Sequence, residues 1–294
     1  MIDGDGSSDT SSGRVGVVCI DELRMACITA FGDDPDVTLR FEDAETTLVA
    51  SGSSAEPSDE VWVTLQPFPD MAARLRSQQR LSDDVRTVEK IASSPLTLVV
   101  ASERADALVA TCGDPVDWTC LGDAAGDAWS RLDPEQRAGS VRPAFAPHPA
   151  TAIGQLGVTG AVLGFFDGAP IDGSDPDLLT WSRRLDRATN RSAVSGSTAV
   201  SVIQTRPSAL DIAVGATAEL TTADDPRFAL VAPSPAVTVE VVASVPSGVE
   251  LPGGFVTDLR ESLTAAGWEP PRNGAPSVSV DDMLNVRRIW EQLT

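Results

Sequence analysis

Short β-branched strands alternate with helical segments along most of this 294-residue sequence, and this alternation constrains the fold more than any other feature. Apolar runs with many β-branched residues predict buried strands, and apolar residues at helical spacing predict helices between them. This order of elements indicates an α/β architecture, with mostly parallel sheets flanked by helices. The strands are predicted at Arg14–Cys19, Val37–Phe41, Val61–Leu65, Pro95–Ala101, Phe228–Ala232 and Val237–Val245.

Helical segments lie between and after these strands. Along one of them, Gly154, Gly157, Gly160 and Gly164 recur on one face, which predicts close packing against a neighbouring element. Short stretches rich in Pro, Gly or Ser, such as Ser51–Ser58, are predicted to be surface loops. The helices are predicted at Glu22–Phe31, Asp70–Gln79, Glu103–Ala110, Thr151–Phe166, Leu178–Asn190, Phe255–Ala266 and Val280–Leu293, and a further short helix is predicted to open at Ser208–Ala213.

The net charge of -21 at pH 7 bears directly on the class of partner. A surface this negative repels phosphate backbones and anionic lipid headgroups, so nucleic acids and membrane surfaces are not expected partners. The same charge would attract a cationic ligand. We prefer the interpretation that it forms a solvated acidic surface, which keeps the protein soluble.

The four cysteines form two local pairs. Cys19 and Cys27 make one pair, and Cys112 and Cys120 make the other. Metal sites usually have closer spacing and more than one histidine, so we prefer two local disulfides in an oxidising compartment. Four unpaired thiols in a cytoplasmic protein are the alternative, and the sequence alone does not choose among the three connectivities.

The ends of the chain and its hydropathy bear on localisation. Residues 1–14 are rich in Asp, Gly and Ser and are predicted to form a disordered polar tail. The sequence contains no run of 18 apolar residues, which a transmembrane helix would require, and no signal peptide is visible in it. Together with two disulfides, these features predict an extracellular or cell-surface protein whose signal or membrane anchor is absent from this chain.

Sequence motifs of catalysis do not occur. The only histidine, His148, stands between Pro147 and Pro149, and no G-x-S-x-G elbow accompanies it. The G-x-x-x-x-G-K phosphate loop and the G-x-G-x-x-G dinucleotide fingerprint are also missing. We therefore predict that the protein is not an enzyme and that it has no catalytic residue, no cofactor and no metal.

Seven segments carry a family resemblance: Val61–Pro69, Ser93–Val100, Cys112–Gly122, Ala146–Gly154, Ser208–Asp211, Ala266–Trp268 and Met283–Leu293. In this order they resemble an actinobacterial family of extracellular substrate-binding domains, which is sometimes fused to a von Willebrand factor A module. The resemblance implies the two-lobed periplasmic-binding-protein architecture of type II. Lobe 1 would comprise residues 15–96 plus 231–294 and lobe 2 residues 97–230, with crossovers near Ser94–Ala101 and Phe228–Pro235.

The resemblance also implies a ligand site in the cleft between the lobes, at strand ends and helix N-termini. The sequence departs from the family pattern at Thr151–Gly154, which has lost a hydroxyl residue, and at Asp21–Leu23, which lacks small hydroxyl residues. The implied ligand-binding residues are Asp21, Glu22, Thr64, Gln66, Ser93, Ser94, His148, Thr151, Ala152, Ser195 and Ser208.

The function implied is that of an extracellular solute-binding protein, which holds a small polar or anionic ligand in the interlobe cleft. Its partners would be an unidentified small solute and either a membrane transporter of the ABC class or a cell-surface protein. The alternative is a degenerate binding-protein fold that acts as a cell-surface protein-interaction module, and the departures at Thr151–Gly154 and Asp21–Leu23 favour it.

Overall fold

Most of the elements expected from the sequence form where their apolar patterns place them. In this computed structural model the described residues are 14–82, 84, 86–135, 139–146, 148, 150–189, 199–205, 210–219, 225–272, 274 and 277–292. Residues 1–13 of the predicted tail, and the candidate residues Ser195 and Ser208, lie outside them.

From the first strand to the sixth helix, strands and helices alternate as the sequence predicts, and after that point helices follow helices and strands follow strands. The strands are β1 Val15–Ile20, β2 Val37–Glu42, β3 Val61–Leu65, β4 Arg86–Ala101, β5 Val116–Asp117, β6 Pro143–Ala144, β7 Ile212–Ala216, β8 Phe228–Val231, β9 Pro233–Ser234 and β10 Thr238–Pro246. The helices are α1 Arg24–Phe31, α2 Ala44–Ser53, α3 Phe68–Gln78, α4 Ser102–Cys112, α5 Trp118–Ala124, α6 Ala152–Phe165, α7 Pro176–Ala188, α8 Ala199–Thr205, α9 Phe255–Ala265 and α10 Val280–Glu291. Short 3-10 turns lie at Asp21–Leu23, Trp129–Arg131 and Thr217–Glu219.

The long strand β4 connects two sheet regions. Over Arg86–Pro95 it pairs with β10, which continues to β3, β1 and β2, and we call this set the first region. Over Leu96–Ala101 it pairs with β7 and β8, and β7 continues to β6, which gives the second region. The expectation of mostly parallel sheets holds for β1 with β2 and β3 and for β6 with β7. In contrast, β4 and β10 pair antiparallel with their neighbours, so the sheet is mixed.

Two local predictions are wrong. The expected loop Ser51–Ser58 begins inside α2, a helix that the sequence analysis did not predict. Its first turn is capped by Asp43, whose carboxylate accepts a hydrogen bond from Thr46 N at 2.8 Å, and it packs on α3. The expected helix Ser208–Ala213 is also wrong at its end, because Ile212 and Ala213 are paired residues of β7. In both places tertiary packing overrides weak local propensity.

The glycine-rich helix α6 lies in the centre of the core. It packs against β3 of the first region and β7 of the second, and against α5 and α10. A side chain at Gly164 would clash with Trp118, and one at Gly157 would press on Phe145 and Val214. The four glycines therefore serve close packing, as their spacing predicts.

Both predicted disulfides form. Cys19–Cys27 joins the end of β1 to α1, and Cys112–Cys120 joins the end of α4 to α5. The first of these bridges encloses the 3-10 turn Asp21–Leu23.

Candidate functional site

The side chain of Glu22 meets the N-terminus of α6. Its Oε1 accepts a hydrogen bond from the backbone N–H of Ala152 at 2.5 Å, although 130 positions separate the two residues. Thr151 caps the same helix, since its Oγ1 accepts a hydrogen bond from Gly154 N at 3.2 Å. A helix N-terminus has free N–H groups and a partial positive charge, which together favour an anion. In this protein the anion is the protein's own carboxylate.

Burial weakens the acidity of this carboxylate. Desolvation raises the pKa of Glu22 to about 7, although hydrogen bonding to the backbone N–H groups of Glu22 itself, Ala152 and Ile153 lowers it. The neighbouring charge of Asp21 raises it slightly further. Part of the Glu22 side chain is exposed, but Oε2 is buried and has no hydrogen-bond partner among the described residues. The site therefore contains a buried acceptor that lacks a donor.

A second contact of the α6 N-terminus comes from α2. The N–H of Ala44, the first residue of α2, donates to the carbonyl of Ala150 at 3.1 Å. The next residue, Glu45, accepts a hydrogen bond from Gln155 Nε2 of α6 at 3.4 Å and forms an ion pair with Arg287 of α10. These contacts close the region around Ala152, which is fully buried.

His148 lies in the segment that leads into α6. Desolvation, together with the nearby positive charge of Arg287, lowers the pKa of its imidazole to about 4. The ring is tilted against Trp290 at a centroid distance of 5.9 Å, and its Nε2 is buried without a partner among the described residues. The imidazole is therefore neutral at pH 7, and its Nε2 can donate or accept a hydrogen bond according to the tautomer.

The structure brings Glu22 onto Ala152, the first residue of α6, next to the cap residue Thr151, and His148 lies in the segment that leads into the same helix. Asp21, next to Glu22, instead pairs with Arg24 on the outside of the turn. Three of the eleven implied residues thus form a connected group.

The remaining described candidates lie on β3, immediately after it, and on β4. Thr64 is fully buried at the end of β3, and its Oγ1 has no partner among the described residues. Gln66 donates to Asp70 at 2.8 Å, while its buried Oε1 has no described partner. The hydroxyl of Ser93 donates to the carbonyl of Pro270 at 3.0 Å, and that of Ser94 accepts from the N–H of Ala218 at 3.0 Å. Both serine hydroxyls are therefore occupied within the protein.

Sequence reasoning missed Glu45, Arg287 and Met283. Met283 Sδ lies 3.2 Å from Thr159 Oγ1 of α6, so α10 contacts α6 through more than one side chain. An ion pair between positions 45 and 287 leaves no local signal in a single sequence, because its partners lie in different helices at the two ends of the chain.

Three surface grooves lie away from this site. One of about 620 Å³ runs along α7 and is lined by Arg183, Arg184 and Arg187. The other two, of about 330 Å³ and 90 Å³, flank Trp62 and Arg86 in the first region. Within the described part of the chain, no group of three or more His, Cys, Asp or Glu side chains is placed to hold a metal ion. No described helix has the length and apolar character that crossing a membrane requires.

Neither a protein-family model nor a curated protein sequence matches this chain. Solved structures do match its fold. A periplasmic thiamin binding protein aligns with a TM-score of 0.60 at 11% identity, over 95% of this chain and 94% of that one. Iron-bound HitA from Pseudomonas aeruginosa aligns at 0.58 and 13% identity, over 95% and 98% of the two chains. The periplasmic binding protein AfuA from Actinobacillus pleuropneumoniae, with fructose-6-phosphate bound, aligns at 0.56 and 12%, over 96% and 97%.

Two of these structures are named as periplasmic binding proteins and the third as an iron-bound protein, and the alignment covers nearly the whole length of each. At identities of 11 to 13% the likeness concerns the fold alone. The mixed sheet and its flanking helices match theirs, as the sequence resemblance implied. The chain therefore has the two-lobed fold of the periplasmic solute-binding proteins.

Proposed function

We propose that this protein is an extracellular solute-binding protein that holds a small polar solute where α6 meets the first sheet region. The observation that carries the proposal is the carboxylate of Glu22, whose Oε2 is buried at the α6 N-terminus without a described partner. A folded protein rarely leaves a buried oxygen unsatisfied unless a water, an ion or a ligand completes it. A solute with a hydrogen-bond donor would complete this one.

The connections between the two regions suit opening and closing. We propose the lobe boundaries at residues 15–96 plus 231–294 and 97–230, with the hinge in β4 and in the passage from β8 to β10. The support is that β4 changes pairing partners at Pro95 and Leu96, from β10 to β7. Few covalent connections between two lobes allow hinge closure around a solute.

The proposed location is outside the cytoplasm, at the cell surface or in the periplasm. Two disulfides support it, because such bonds persist in oxidising compartments. A membrane transporter that receives the solute is the proposed partner, and catalysis is not proposed. Membership of the actinobacterial family that it resembles, which is sometimes fused to a von Willebrand factor A module, is part of the same proposal.

Thermal unfolding in the presence of candidate solutes tests this function. The panel contains amino acids, sugars, amines, inorganic anions and metal ions. A solute that binds only the folded state at about 100 times its Kd adds about 2.7 kcal/mol of stability, which corresponds to roughly 5 °C in Tm. Glu261→Gln, on an exposed face of α9, is the control variant and should respond as the wild type does. A Tm that no solute in the panel changes would contradict the proposal.

A second candidate function is the degenerate module at the cell surface, which keeps the fold without a solute. The direct contacts Glu22–Ala152 and Ala44–Ala150 favour it, since they close the α6 N-terminus with the protein's own groups. Small-angle scattering separates the two functions. A radius of gyration that falls on addition of the panel solute favours the solute-binding protein. An unchanged radius together with an unchanged Tm favours the module.

A further inference from the structure

The α6 N-terminus is already occupied by an anion. Glu22 Oε1 accepts the N–H of Ala152, and the carboxylate lies close enough to Ile153 for that N–H to lower its pKa. A solute anion at this position would compete for the same N–H groups and would be repelled by the Glu22 charge. A free anion therefore has no place here while Glu22 is ionised.

We infer that the solute of this site carries a cationic N–H donor, such as a primary ammonium group, and binds the unpartnered Oε2 of Glu22. This inference rests on the proposed function and specifies its ligand. It departs from the sequence-based expectation of a polar or anionic ligand, because the anion position at α6 is filled from within the protein.

The charges around Glu22 support a cation. A helix N-terminus contributes about half of a positive charge, which does not balance a full carboxylate. The charged groups next to Glu22 on its turn and beside Gln155 on α6 form ion pairs of their own. Asp21 pairs with Arg24 on the same turn, and Arg287 pairs with Glu45 beside α6. His148, in the segment that leads into α6, is neutral at pH 7 and does not repel a cation. Among these described groups, Glu22 is the one that lacks a cationic partner.

The surface of the whole protein acts in the same direction. A net charge of -21 concentrates cations near the protein and raises their rate of association. Inside the site a charge-assisted hydrogen bond from N–H to carboxylate is stronger than a neutral one, so a single ammonium group provides both affinity and orientation.

The protonation of Glu22 couples binding to pH. Its carboxylate must be ionised to bind a cation, and its pKa in the free protein is about 7. Affinity for an amine therefore rises as the pH rises through 7 and levels off above 8. Binding also releases a proton at pH 7, because the bound cation lowers the pKa of Glu22. Calorimetry in two buffers with different ionisation enthalpies measures that proton.

The test uses ethanolamine and putrescine as amine probes and acetate, sulfate and inorganic phosphate as anion probes, with thermal unfolding of the full chain at pH 8. The amines should raise the Tm of the wild type, and the anions should not. Choline, a cation without an N–H donor, should have a smaller effect than ethanolamine. In Glu22→Gln the affinity for amines should fall at least tenfold, whereas Glu261→Gln should keep it.

The variant Glu22→Ala provides an independent readout. It vacates the α6 N-terminus, so acetate should now raise the Tm of this variant, although it has no effect on the wild type. A wild type stabilised by anions but not by amines would overturn the inference and leave the proposed function intact. A Tm of the wild type that rises with sugars alone would also overturn the inference and leave the proposed function intact. If no probe and no panel solute changes the Tm, both the inference and the proposed function are contradicted.

Discussion

Arg287 and Glu45 form a two-pronged ion pair that ties the last helix to the beginning of the chain. Arg287 Nη1 lies 2.5 Å from Glu45 Oε2, and Nη2 lies 2.7 Å from Oε1. Both side chains are mostly buried, with 16% and 23% of their surface exposed. Since Glu45 also contacts Gln155 of α6, the pair holds α2, α6 and α10 together beside Glu22.

Neutralising either partner should destabilise the protein. Arg287→Gln or Glu45→Gln leaves the other charge partly buried, which costs about 2 kcal/mol, between the values for exposed and buried pairs. Urea unfolding of both single variants and of the double variant measures this, and the double-mutant cycle should give a coupling free energy of at least 1 kcal/mol.

A matched control pair lies on the same helix, α10. Arg74 of α3 approaches Asp281 of α10 at 3.6 Å, but 55% and 75% of these side chains are exposed. Arg74→Gln should change the free energy of unfolding by less than about 0.5 kcal/mol. Equal losses of unfolding free energy in Arg74→Gln and Arg287→Gln would show that the bidentate pair stabilises the protein no more than an exposed pair does.

Removing either disulfide should lower the free energy of unfolding by a similar amount, but only the loss of Cys19–Cys27 should weaken solute binding. Each closes a loop with a sequence separation of 8, so loop entropy predicts a similar loss of about 2.5 kcal/mol when either is removed. The double variant Cys19→Ala/Cys27→Ala frees the turn that carries Glu22 and should weaken solute binding. The double variant Cys112→Ala/Cys120→Ala should bind as the wild type does. Urea unfolding and Tm titrations check the two parts, and equal binding by both variants would contradict this role for Cys19–Cys27.

Local patterns in the sequence account for the elements that were predicted correctly. The cysteine spacing predicted both disulfides, and the glycine face lies on a helix whose two ends were predicted within one residue of those of α6. In each case the partners lie within a few turns of each other, so the pattern is visible in a short window. The two-lobed architecture came from the family resemblance rather than from these patterns.

The parts that were missed depend on contacts between distant segments. In α2, Gly52 lies against Leu75 of α3, and this packing rather than helix propensity keeps a Ser- and Thr-rich segment helical. Glu22 and Ala152 were both placed at the cleft, but the sequence did not show that they bind each other. No single-sequence pattern pairs residues 130 positions apart, because folding brings them together.

Removing the hydroxyl of Thr64 should stabilise the protein without solute. Its Oγ1 is fully buried and has no described partner, so Thr64→Val removes an unsatisfied polar group and should add about 1 kcal/mol to the free energy of unfolding. Thr159→Val is the matched control in α6, because the Thr159 hydroxyl donates to Gln155 O at 2.8 Å. That variant should lose about 1 kcal/mol. Urea unfolding measures both, and a loss in Thr64→Val would mean that its hydroxyl is already satisfied.

Glu22 and His148 should give stability opposite dependences on pH. The pKa of Glu22 rises from 4.5 to about 7 on folding, so its contribution is fully present below pH 4.5 and is lost as the pH rises through 7. The pKa of His148 falls from 6.5 to about 4, so its contribution is present above pH 6.5 and is lost as the pH falls through 4. Each shift is equivalent to about 3 kcal/mol.

The two dependences offset each other in the wild type between pH 4.5 and 6.5 and separate in variants. The stability of the wild type relative to Glu22→Gln should fall as the pH rises from 5 to 8. Its stability relative to His148→Asn should fall as the pH drops from 7 to 5. Urea unfolding at each pH measures these differences.

NMR adds a direct check, because His148 is the only histidine and its Hε1 signal should stay at the position of neutral imidazole down to pH 5. A His148 signal that titrates with a midpoint near pH 6.5 would show that its ring is solvated. A stability difference between the wild type and Glu22→Gln that does not change with pH would show that the Glu22 carboxylate is solvated.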